Sequence, residues 1–503
     1  MCAGQFQIQE ESSLSAVLPP GEVEAGPTPP TTHKVITVAI VLAAACLAAL
    51  SGLGAGGDSK LAVVLPLAVA AGAMLGVLAL TRFSVFVMAI LVLRASIDLG
   101  KLGGDQAGQT ITATAAVADR GMDPTSLLAV LFLLASALWL AAQHYRLGGL
   151  PGSTLRRALL VFMAAAAISV PASVSVRASV LELLRILAAV TMFIVLEQLI
   201  VNRTVLRQVL LAAFLSLVVP LAYTAIGFVT GGPASEVKGA FVRITGPFSS
   251  SNNFGRYLMV MIVFGVALYP HLERRWQIAL AALLAPSAVF LVLTYTRTAI
   301  IGTVIGLVVV GLIQSKRLLV TLVALSIAAL VLIPQFSSRF TSLADVGPGG
   351  QPSGNSLAWR IGYWTEVLPL ANSNPVTGIG LNSTQLITDE AKQPHNDFIR
   401  AYVETGLLGL GAYLAVLIAL VGLGGGAVRA SPPGSFERGV AAGFLGCAVA
   451  FVAVSIAANV LSSVVLLWYL FAFAAAAAFV ARQQAPPARD RLVETGGTTH
   501  GDR

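Results

Sequence analysis

Residues 393–410 read QPHNDFIRAYVETGLLGL, a polar segment that passes directly into an apolar one. A long polar insertion ends here and a membrane-embedded helix begins, because the apolar run that follows is long enough for a bilayer span. Polar groups at the mouth of a lipid-buried helix are costly unless they line a site. This boundary therefore predicts a site, and the arginines predicted on the same membrane face indicate an anionic, lipid-borne ligand.

The composition excludes a water-soluble globular protein. Of the 503 residues, 56% are hydrophobic and 11% are charged, whereas soluble domains carry roughly 25% charged residues. The formal net charge of +8 comes from short basic clusters between apolar runs, which indicates a multi-span membrane protein and not a nucleic-acid-binding one. Cys2, Cys46 and Cys447 have neither metal-ligand nor disulfide spacing. No second histidine or paired carboxylate lies near His395 at metal-ligand spacing, so we expect no metal. We also expect no cofactor.

The apolar runs predict an all-α membrane protein, a helical bundle of about 12–14 transmembrane helices, because each span needs about 20 apolar residues. Three runs, at 83–97, 158–172 and 298–313, are short enough that a count of fourteen could fall by two. The predicted spans lie near residues 35–53, 61–80, 83–97, 124–143, 158–172, 180–201, 208–229, 253–270, 276–294, 298–313, 318–334, 399–423, 439–457 and 463–481.

Basic residues in alternate connections predict the orientation, since Lys and Arg concentrate in cytoplasmic loops. Both termini are then cytoplasmic, and the membrane domain at 35–482 lies between disordered tails at 1–34 and 483–503. We expect an inner (plasma) membrane protein whose first span is an uncleaved anchor. The basic clusters are Arg146/Arg156/Arg157, Arg203/Arg207, Arg274/Arg275, Lys316/Arg317, Arg429/Arg438 and Arg482/Arg489/Arg491.

One long loop, at residues 335–398, falls on the opposite, extracytoplasmic face, and loops of this length are usually functional or disordered. Within it, residues 357–370 space apolar and aromatic side chains at helical intervals, which predicts an amphipathic helix at the membrane interface. Residues 375–380 (PVTGIG) predict a turn. His395 then lies where the next span opens.

Four arginines, Arg243, Arg256, Arg297 and Arg360, lie near span ends on the predicted outer face, where arginine is under-represented. A guanidinium binds phosphate through two parallel hydrogen bonds and stays charged. Several arginines can therefore bind a diphosphate without a metal. The alternative is that each side chain reaches to lipid headgroups.

The polar residues around His395 allow two interpretations. The imidazole could accept a proton from a sugar hydroxyl or hydrogen-bond a leaving phosphate. Alternatively, His395 is structural, and Asn396 and Asp397 simply provide cap oxygens for the helix. Glu404 is predicted about two and a half turns deeper in the same helix, where it could instead be a buried, partnered carboxylate that orients its neighbours.

Two further polar groups have structural interpretations. Residues 249–253 (SSSNN) precede the span that holds Arg256, and they are expected to cap that helix, which still allows Asn253 to contact phosphate. Glu182 and Arg185 are three residues apart in one predicted helix, so we expect them to neutralise each other.

The chain resembles the O-antigen ligase and O-antigen polymerase superfamily over roughly residues 205–425. The family usually has Ser where this chain has Thr296, and both carry a hydroxyl. The order of the motifs and the long loop before His395 make the resemblance specific. The motifs are Arg243-Ile-Thr-Gly-Pro-Phe leading to Asn253-Phe-Gly, Thr296-Arg-Thr-Ala, Trp359-Arg360 with Trp364 and Pro375-Val-Thr-Gly-Ile-Gly, and His395-Asn396 followed by Glu404-Thr-Gly-Leu-Leu-Gly.

This resemblance implies a GT-C-like membrane glycosyltransferase of cell-envelope polysaccharide biosynthesis. It would transfer or polymerise a glycan from an undecaprenyl-diphosphate-linked donor onto an acceptor hydroxyl of a glycan, lipid or protein on the outer face, without metal and with inversion. Arg243 and Arg297 would bind the diphosphate, His395 would act as base or position the acceptor, and Arg360 would help assemble the loop over the site. The remaining residues expected to bind substrate are Asn253, Arg256, Asn396 and Glu404.

Two other function classes stay open. A secondary transporter or flippase for a lipid-linked or anionic substrate would show repeated halves and helices broken at mid-membrane. The sequence has no internal repeat, and its polar residues gather at the outer mouth. A non-catalytic partner of a polysaccharide export complex would tolerate replacement of His395 and Arg297.

Overall fold

The computed structural model describes residues 72–96, 124–150, 152–231, 235–238, 241–317, 319–320, 357–388 and 392–483. The predicted tails and the predicted spans near 35–53 and 318–334 lie almost wholly outside these ranges. Residues up to Arg82 form a unit of their own, whose described part is helix α1 (Gly72–Thr81).

Helices make up nearly all of the described secondary structure, together with one β-hairpin. The elements after α1 are α2 (Phe83–Leu93), α3 (Pro124–Leu147), α4 (Thr154–Ser169), α5 (Val176–Leu199), α6 (Arg203–Leu215), α7 (Val218–Thr230), β1 (Ser235–Lys238), β2 (Phe241–Ile244), α8 (Ser251–Leu268), α9 (Arg274–Leu293), α10 (Arg297–Gln314), α11 (Leu357–Val367), α12 (Thr384–Ile387), α13 (Asp397–Ala430), α14 (Phe436–Ser455) and α15 (Val464–Arg482).

The predicted fold class, an all-α polytopic membrane protein, is confirmed. In the part of the chain that the structure describes, ten helical segments are long and apolar enough to cross a membrane. Two of the runs that looked short in sequence are full-length candidates, at Thr154–Ala172 and Arg297–Gln314. Helix α2 has 11 residues and is shorter than the span predicted at 83–97, because the chain turns at residues 94–96.

The centre of the bundle is α15, which is buried along almost its whole length. Its aromatic side chains pack against α8: Phe264 stacks on Phe473 with ring centroids 3.8 Å apart, and Tyr257 lies 5.1 Å from Tyr469. Small residues on other helices allow close packing as well, since an added Cβ at Gly446 would meet the Gly306 carbonyl at 2.8 Å. Such small-residue contacts are typical of helix pairs in membranes.

Helix α13 is interrupted at Gly406, whereas the sequence predicted one continuous span at 399–423. Gly406 has φ 67° and ψ −167°, a conformation that is restricted to glycine. The backbone groups freed at the break are bonded to the predicted turn at 375–380, so these two separate motifs form one unit. The bonds are Ile379 N to Val403 O (3.0 Å), Gly380 N to Glu404 O (3.0 Å), Leu407 N to Pro375 O (2.9 Å) and Leu408 N to Val376 O (3.2 Å).

Ion pairs cluster at the end of the bundle where α5 and α15 finish, here called the basic end. Glu197 lies 3.9 Å from both Arg156 and Arg482, and Arg203 pairs with Glu437 at 2.8 Å. These arginines belong to the clusters predicted to face the cytoplasm. The opposite end, where α8, α10, α13 and α15 begin, is called the site end.

Candidate functional site

Arg243 lies buried on β2 and ties the hairpin to the turn between α9 and α10. Its Nε donates to the Thr294 carbonyl at 2.8 Å. Its Nη2 donates to Asn252 Oδ1 and to Thr296 Oγ1, each at 3.0 Å. Its guanidinium is therefore fixed against the turn that precedes Arg297.

Arg297 is the first residue of α10 and is partly buried. The turn before it is tight, because Tyr295 has φ 48° and the Thr296 hydroxyl bonds back to the Ser251 carbonyl at 3.2 Å. The turn thus contacts the start of α8 as well as Arg243. Two of the predicted diphosphate ligands are consequently linked through Thr296, since Arg243 donates to its hydroxyl and Arg297 follows it in the chain.

The start of α8 confirms the capping interpretation of residues 249–253. Ser250 is the N-cap residue, and its hydroxyl accepts from the Asn253 backbone N–H at 3.3 Å. The Asn253 side chain is left for another contact: its Oδ1 accepts from the Ser463 hydroxyl at 3.0 Å. Asn253 thereby joins α8 to the connection between α14 and α15.

This connection, the 456–463 loop, holds two of the predicted arginines by its carbonyl groups. Arg256 Nη1 donates to the Asn459 carbonyl at 3.0 Å and to Ser463 Oγ at 2.7 Å. Arg360 Nη1 donates to the Ala457 carbonyl at 2.9 Å. The Nε of each guanidinium is buried and has no hydrogen-bond partner among the described residues.

The two guanidinium groups lie close enough for their charges to interact. Burial lowers the pKa of Arg360, because a desolvated guanidinium is harder to keep charged. The Asp397 carboxylate also acts on Arg256 and offsets part of its charge. Two like charges whose Nε donors have no partner among the described residues still form an arrangement that a further anion would stabilise.

Asn396 and Asp397 have different roles, although both were expected to offer cap oxygens to the helix. Asn396 caps α13, since its Oδ1 accepts from the backbone N–H groups of Phe398 at 2.9 Å and Ile399 at 3.1 Å. Asp397 is fully buried, and its Oδ2 accepts from Val460 N at 2.9 Å and Leu461 N at 3.2 Å. Asp397 therefore fixes the 456–463 loop.

His395 precedes this cap with a left-handed backbone, φ 56°. Its Nδ1 lies 3.3 Å from the Asn459 side-chain Nδ2, and its ring meets Trp359 of α11 edge-on at 6.1 Å. Trp364 donates to the Pro394 carbonyl at 2.6 Å. The predicted helix at 357–370 is thus present as α11, and it packs directly against the histidine segment.

Behind the site lies a buried ionic group centred on Arg400. Its Nε donates to Glu404 at 2.9 Å, its Nη2 to Glu182 at 3.0 Å and its Nη1 to Ser462 Oγ at 2.5 Å. Glu182 is also 3.6 Å from Arg185, as the sequence predicted, but its shorter contact is to Arg400. Arg400 thereby links α5, α13 and the 456–463 loop.

Glu404 has a partner on each carboxylate oxygen. Besides Arg400, Oε2 accepts from Asn382 N at 2.8 Å, and Oε1 accepts from Thr384 Oγ1 at 2.7 Å. These contacts favour the alternative in which Glu404 is a buried carboxylate that orients its neighbours. Glu404 lies two residues before the break at Gly406, and its carboxylate contacts Arg400, Asn382 and Thr384.

The predicted site residues are joined at the site end by hydrogen bonds and by adjacency in the chain. The 456–463 loop is the part that sequence reasoning missed, because its residues looked like a short turn between two apolar spans. The only available signal was the polar sequence of residues 459–463 (NVLSS) in such a turn. The residues brought together are Arg243, Asn253, Arg256, Arg297, Arg360, His395 and Asn396, with Glu404 behind them.

The described residues contain no group of three or more His, Cys, Asp or Glu side chains that could hold a metal ion. Their charged side chains at the site end are instead dominated by arginine.

The model of one protein family, described as O-antigen ligase, matches residues 279–414. The match confirms the resemblance drawn from the motifs. It includes Arg297, Arg360, His395 and Glu404, whereas Arg243, Asn253, Arg256 and the 456–463 loop lie outside the matched segment. No curated protein matches the chain.

Proposed function

We propose that this chain, whose residues 279–414 match the O-antigen ligase family model, transfers or polymerises a glycan from an undecaprenyl-diphosphate-linked donor. The family supports a membrane role in joining glycans. The lipid diphosphate, the outer-face location, the inverting and metal-independent chemistry and the GT-C-like fold are our proposals.

The observation that carries the proposal is the pair Arg256 and Arg360, whose side chains both donate to the 456–463 loop. The Nε atom of each is buried and has no partner in the part of the chain that the structure describes. A charge in a low-dielectric site is costly unless it is compensated. The carbonyl groups of Asn459 and Ala457 orient these cations but do not neutralise them, and the nearby Asp397 carboxylate offsets only part of the charge of Arg256. A diphosphate would do both, because it is anionic and accepts several hydrogen bonds.

In the proposed reaction, the acceptor hydroxyl attacks the sugar carbon as its bond to the diphosphate breaks, and the electron pair leaves on the diphosphate oxygen. Negative charge therefore grows on the leaving group, and preorganised cations stabilise it. Arg297 and Arg243 would bind this diphosphate. Arg243 also fixes the turn before Arg297, since its Nε and Nη2 are bonded to protein atoms.

Arg256 and Arg360 would complete the anion site from the 456–463 loop. His395 would act as the base for the acceptor hydroxyl or hydrogen-bond to the substrate, and Asn396 keeps the histidine segment at the start of α13. Asn253 would contact substrate from α8. Glu404 would act through Arg400 as a positioning residue.

We further propose that the basic end faces the cytoplasm and the site end faces outward, in the inner membrane. The ion-pair layer of Glu197, Arg156 and Arg482 supports this orientation, because arginines concentrate on the cytoplasmic side. The division into tails at 1–34 and 483–503 and a membrane domain at 35–482 remains a prediction.

Gene deletion followed by analysis of the surface glycan tests the proposal. Short, single-repeat chains would identify a polymerase, and accumulation of full-length lipid-linked polymer would identify a ligase. Complementation with wild-type protein should restore the glycan, and His395→Ala or Arg297→Ala protein should not, although both should reach the membrane. An unchanged glycan profile in the deletion strain would contradict the proposal.

A further inference from the structure

The side chain of Asn459 contacts the imidazole of His395, 64 residues earlier in the chain. The distance between Asn459 Nδ2 and His395 Nδ1 is 3.3 Å. Asn459 is buried, and its backbone carbonyl is held by Arg256. The amide therefore belongs to the fixed part of the 456–463 loop.

This contact determines which ring nitrogen carries the proton. An amide NH₂ group only donates, so the nitrogen that faces it must accept. A neutral imidazole has one accepting and one donating nitrogen. With Nδ1 as the acceptor, the proton lies on Nε2.

We infer that Asn459 is a positioning residue that fixes the tautomer of His395, so that Nε2–H donates a hydrogen bond to the departing diphosphate. This inference rests on the proposed function and decides between the two roles that the sequence left open for His395. In this form His395 does not take the proton of the acceptor hydroxyl. That proton passes to an oxygen of the departing diphosphate, as the new sugar–oxygen bond forms and the sugar–phosphate bond breaks.

The surroundings of the ring agree with a donor role. The charged side chains closest to the 456–463 loop include Arg256 and Arg360, bonded to its carbonyls, and Asp397, bonded to its N–H groups. Lys392 lies 4.6 Å from the Trp359 ring, which in turn contacts His395. A donor on Nε2 adds to this mainly cationic surface, which suits an anion better than it suits a hydroxyl that must lose a proton.

Nitrogen NMR of the full-length protein, labelled with ¹⁵N-histidine in a membrane, tests the inference. The chain has five histidines, and the His395→Gln protein identifies the signal of His395 by its absence. At about pH 8, where an ordinary imidazole is neutral, we expect a protonated Nε2 and an unprotonated Nδ1. A protonated Nδ1 in the wild-type protein would overturn the inference without any need for a variant.

The Asn459→Asp protein tests whether Asn459 is the cause. A carboxylate only accepts hydrogen bonds, and the nearby guanidinium groups favour its charged form, so the ring proton should move to Nδ1. Turnover should fall by about 100-fold with KM little changed, since a misplaced proton donor affects the transition state most. Asn459→Leu should lose the preference for one tautomer.

Asn202→Asp is the matched control, because Asn202 caps α6 at the basic end and an Asp there keeps the cap. Its His395 signal and turnover should equal those of the wild type. An unchanged His395 tautomer in both Asn459 variants would overturn the inference. Full glycan transfer by His395→Gln protein would instead contradict the proposed function and leave the tautomer measurement standing.

Discussion

Arginine carries most of the positive charge at the site end, where Lys392 adds an ammonium beside the Trp359 ring. A guanidinium can bond to the protein through one nitrogen and still offer others in a fixed plane, which an ammonium cannot do. Arg256 shows this directly, since Nη1 bonds to the Asn459 carbonyl while Nε has no partner among the described residues. Charge alone would not explain this choice of residue.

Replacement of Arg297 by Lys should therefore impair transfer while the charge is kept. We expect turnover to fall by about 100-fold, the typical loss when one preorganised donor is removed from a developing oxyanion. Arg275→Lys is the matched control, because Arg275 is exposed at the basic end and pairs with Glu273. Near-normal turnover of Arg297→Lys protein would indicate that a generic positive charge suffices.

The carboxylate of Glu404 matters for stability through Arg400. Glu404→Ala would leave the buried Arg400 Nε and the Asn382 backbone N–H without an acceptor. Arg400 keeps its ion pair with Glu182, so the loss comes from buried donors left without an acceptor, about 1–3 kcal/mol each. Thermal unfolding in detergent should therefore begin at a clearly lower temperature. The exposed Glu366→Ala should unfold like the wild type. Equal unfolding temperatures for both variants would show that Glu404 is not part of the fold's ionic group.

Among the secondary-structure elements, the break in α13 and the turn at 375–380 depend on each other. The turn supplies the carbonyl groups of Pro375 and Val376, and the broken helix supplies those of Val403 and Glu404. A broken helix is also a feature of transporters. Here, however, the freed backbone groups are bonded to protein.

Gly406→Ala should disrupt this unit. A side chain at this φ and ψ costs about 1–3 kcal/mol, and an added Cβ would also collide with the Val376 carbonyl. Gly411→Ala in the same helix meets nothing within 4 Å, and it should be neutral or stabilising by about 1 kcal/mol. Folded yield and thermal stability in detergent distinguish the two. A Gly406→Ala protein as stable as the Gly411→Ala protein would contradict the described break.

Most helix positions could be predicted from local sequence, because span length and apolar periodicity are local properties. The predicted spans near 276–294 and 463–481 correspond to α9 (Arg274–Leu293) and α15 (Val464–Arg482). The break at Gly406 could not be predicted in this way. The backbone groups that hydrogen-bond to the broken helix lie about thirty residues upstream, in the turn at 375–380. Local apolar pattern favours a continuous helix there.

The arginines of the candidate site could be predicted from the sequence, but the loop that positions them could not. Outward arginines stand out in sequence because topology disfavours them. The 456–463 loop, which binds Arg256 and Arg360, does not stand out in the sequence. Ser463 and Arg256, for example, are 207 residues apart, and only tertiary folding brings them together. The same reason explains why Arg400 was overlooked as the partner of Glu182, 218 residues away.

Across the whole bundle, the account requires the site end and the basic end to face opposite sides of the membrane. Ser373 is exposed in the segment after α11, and Pro433 is exposed at the basic end. In a chain without Cys2, Cys46 and Cys447, a membrane-impermeant maleimide should label Ser373→Cys in intact cells.

The same reagent should label Pro433→Cys only after the cells are opened. This pattern follows from the positive-inside bias. Labelling of Pro433→Cys and not of Ser373→Cys in intact cells would reverse the proposed orientation.

The most direct test of the central claim is transfer by purified protein in liposomes with a polyprenyl-diphosphate-linked glycan and its acceptor. The account predicts that wild-type protein lengthens the acceptor glycan and releases one polyprenyl diphosphate for each glycan joined. Arg297→Lys protein should lengthen the acceptor and release polyprenyl diphosphate far more slowly than wild-type protein. Movement of intact donor across the bilayer without cleavage of its sugar–phosphate bond, or equal transfer by Arg297→Lys protein, would contradict it.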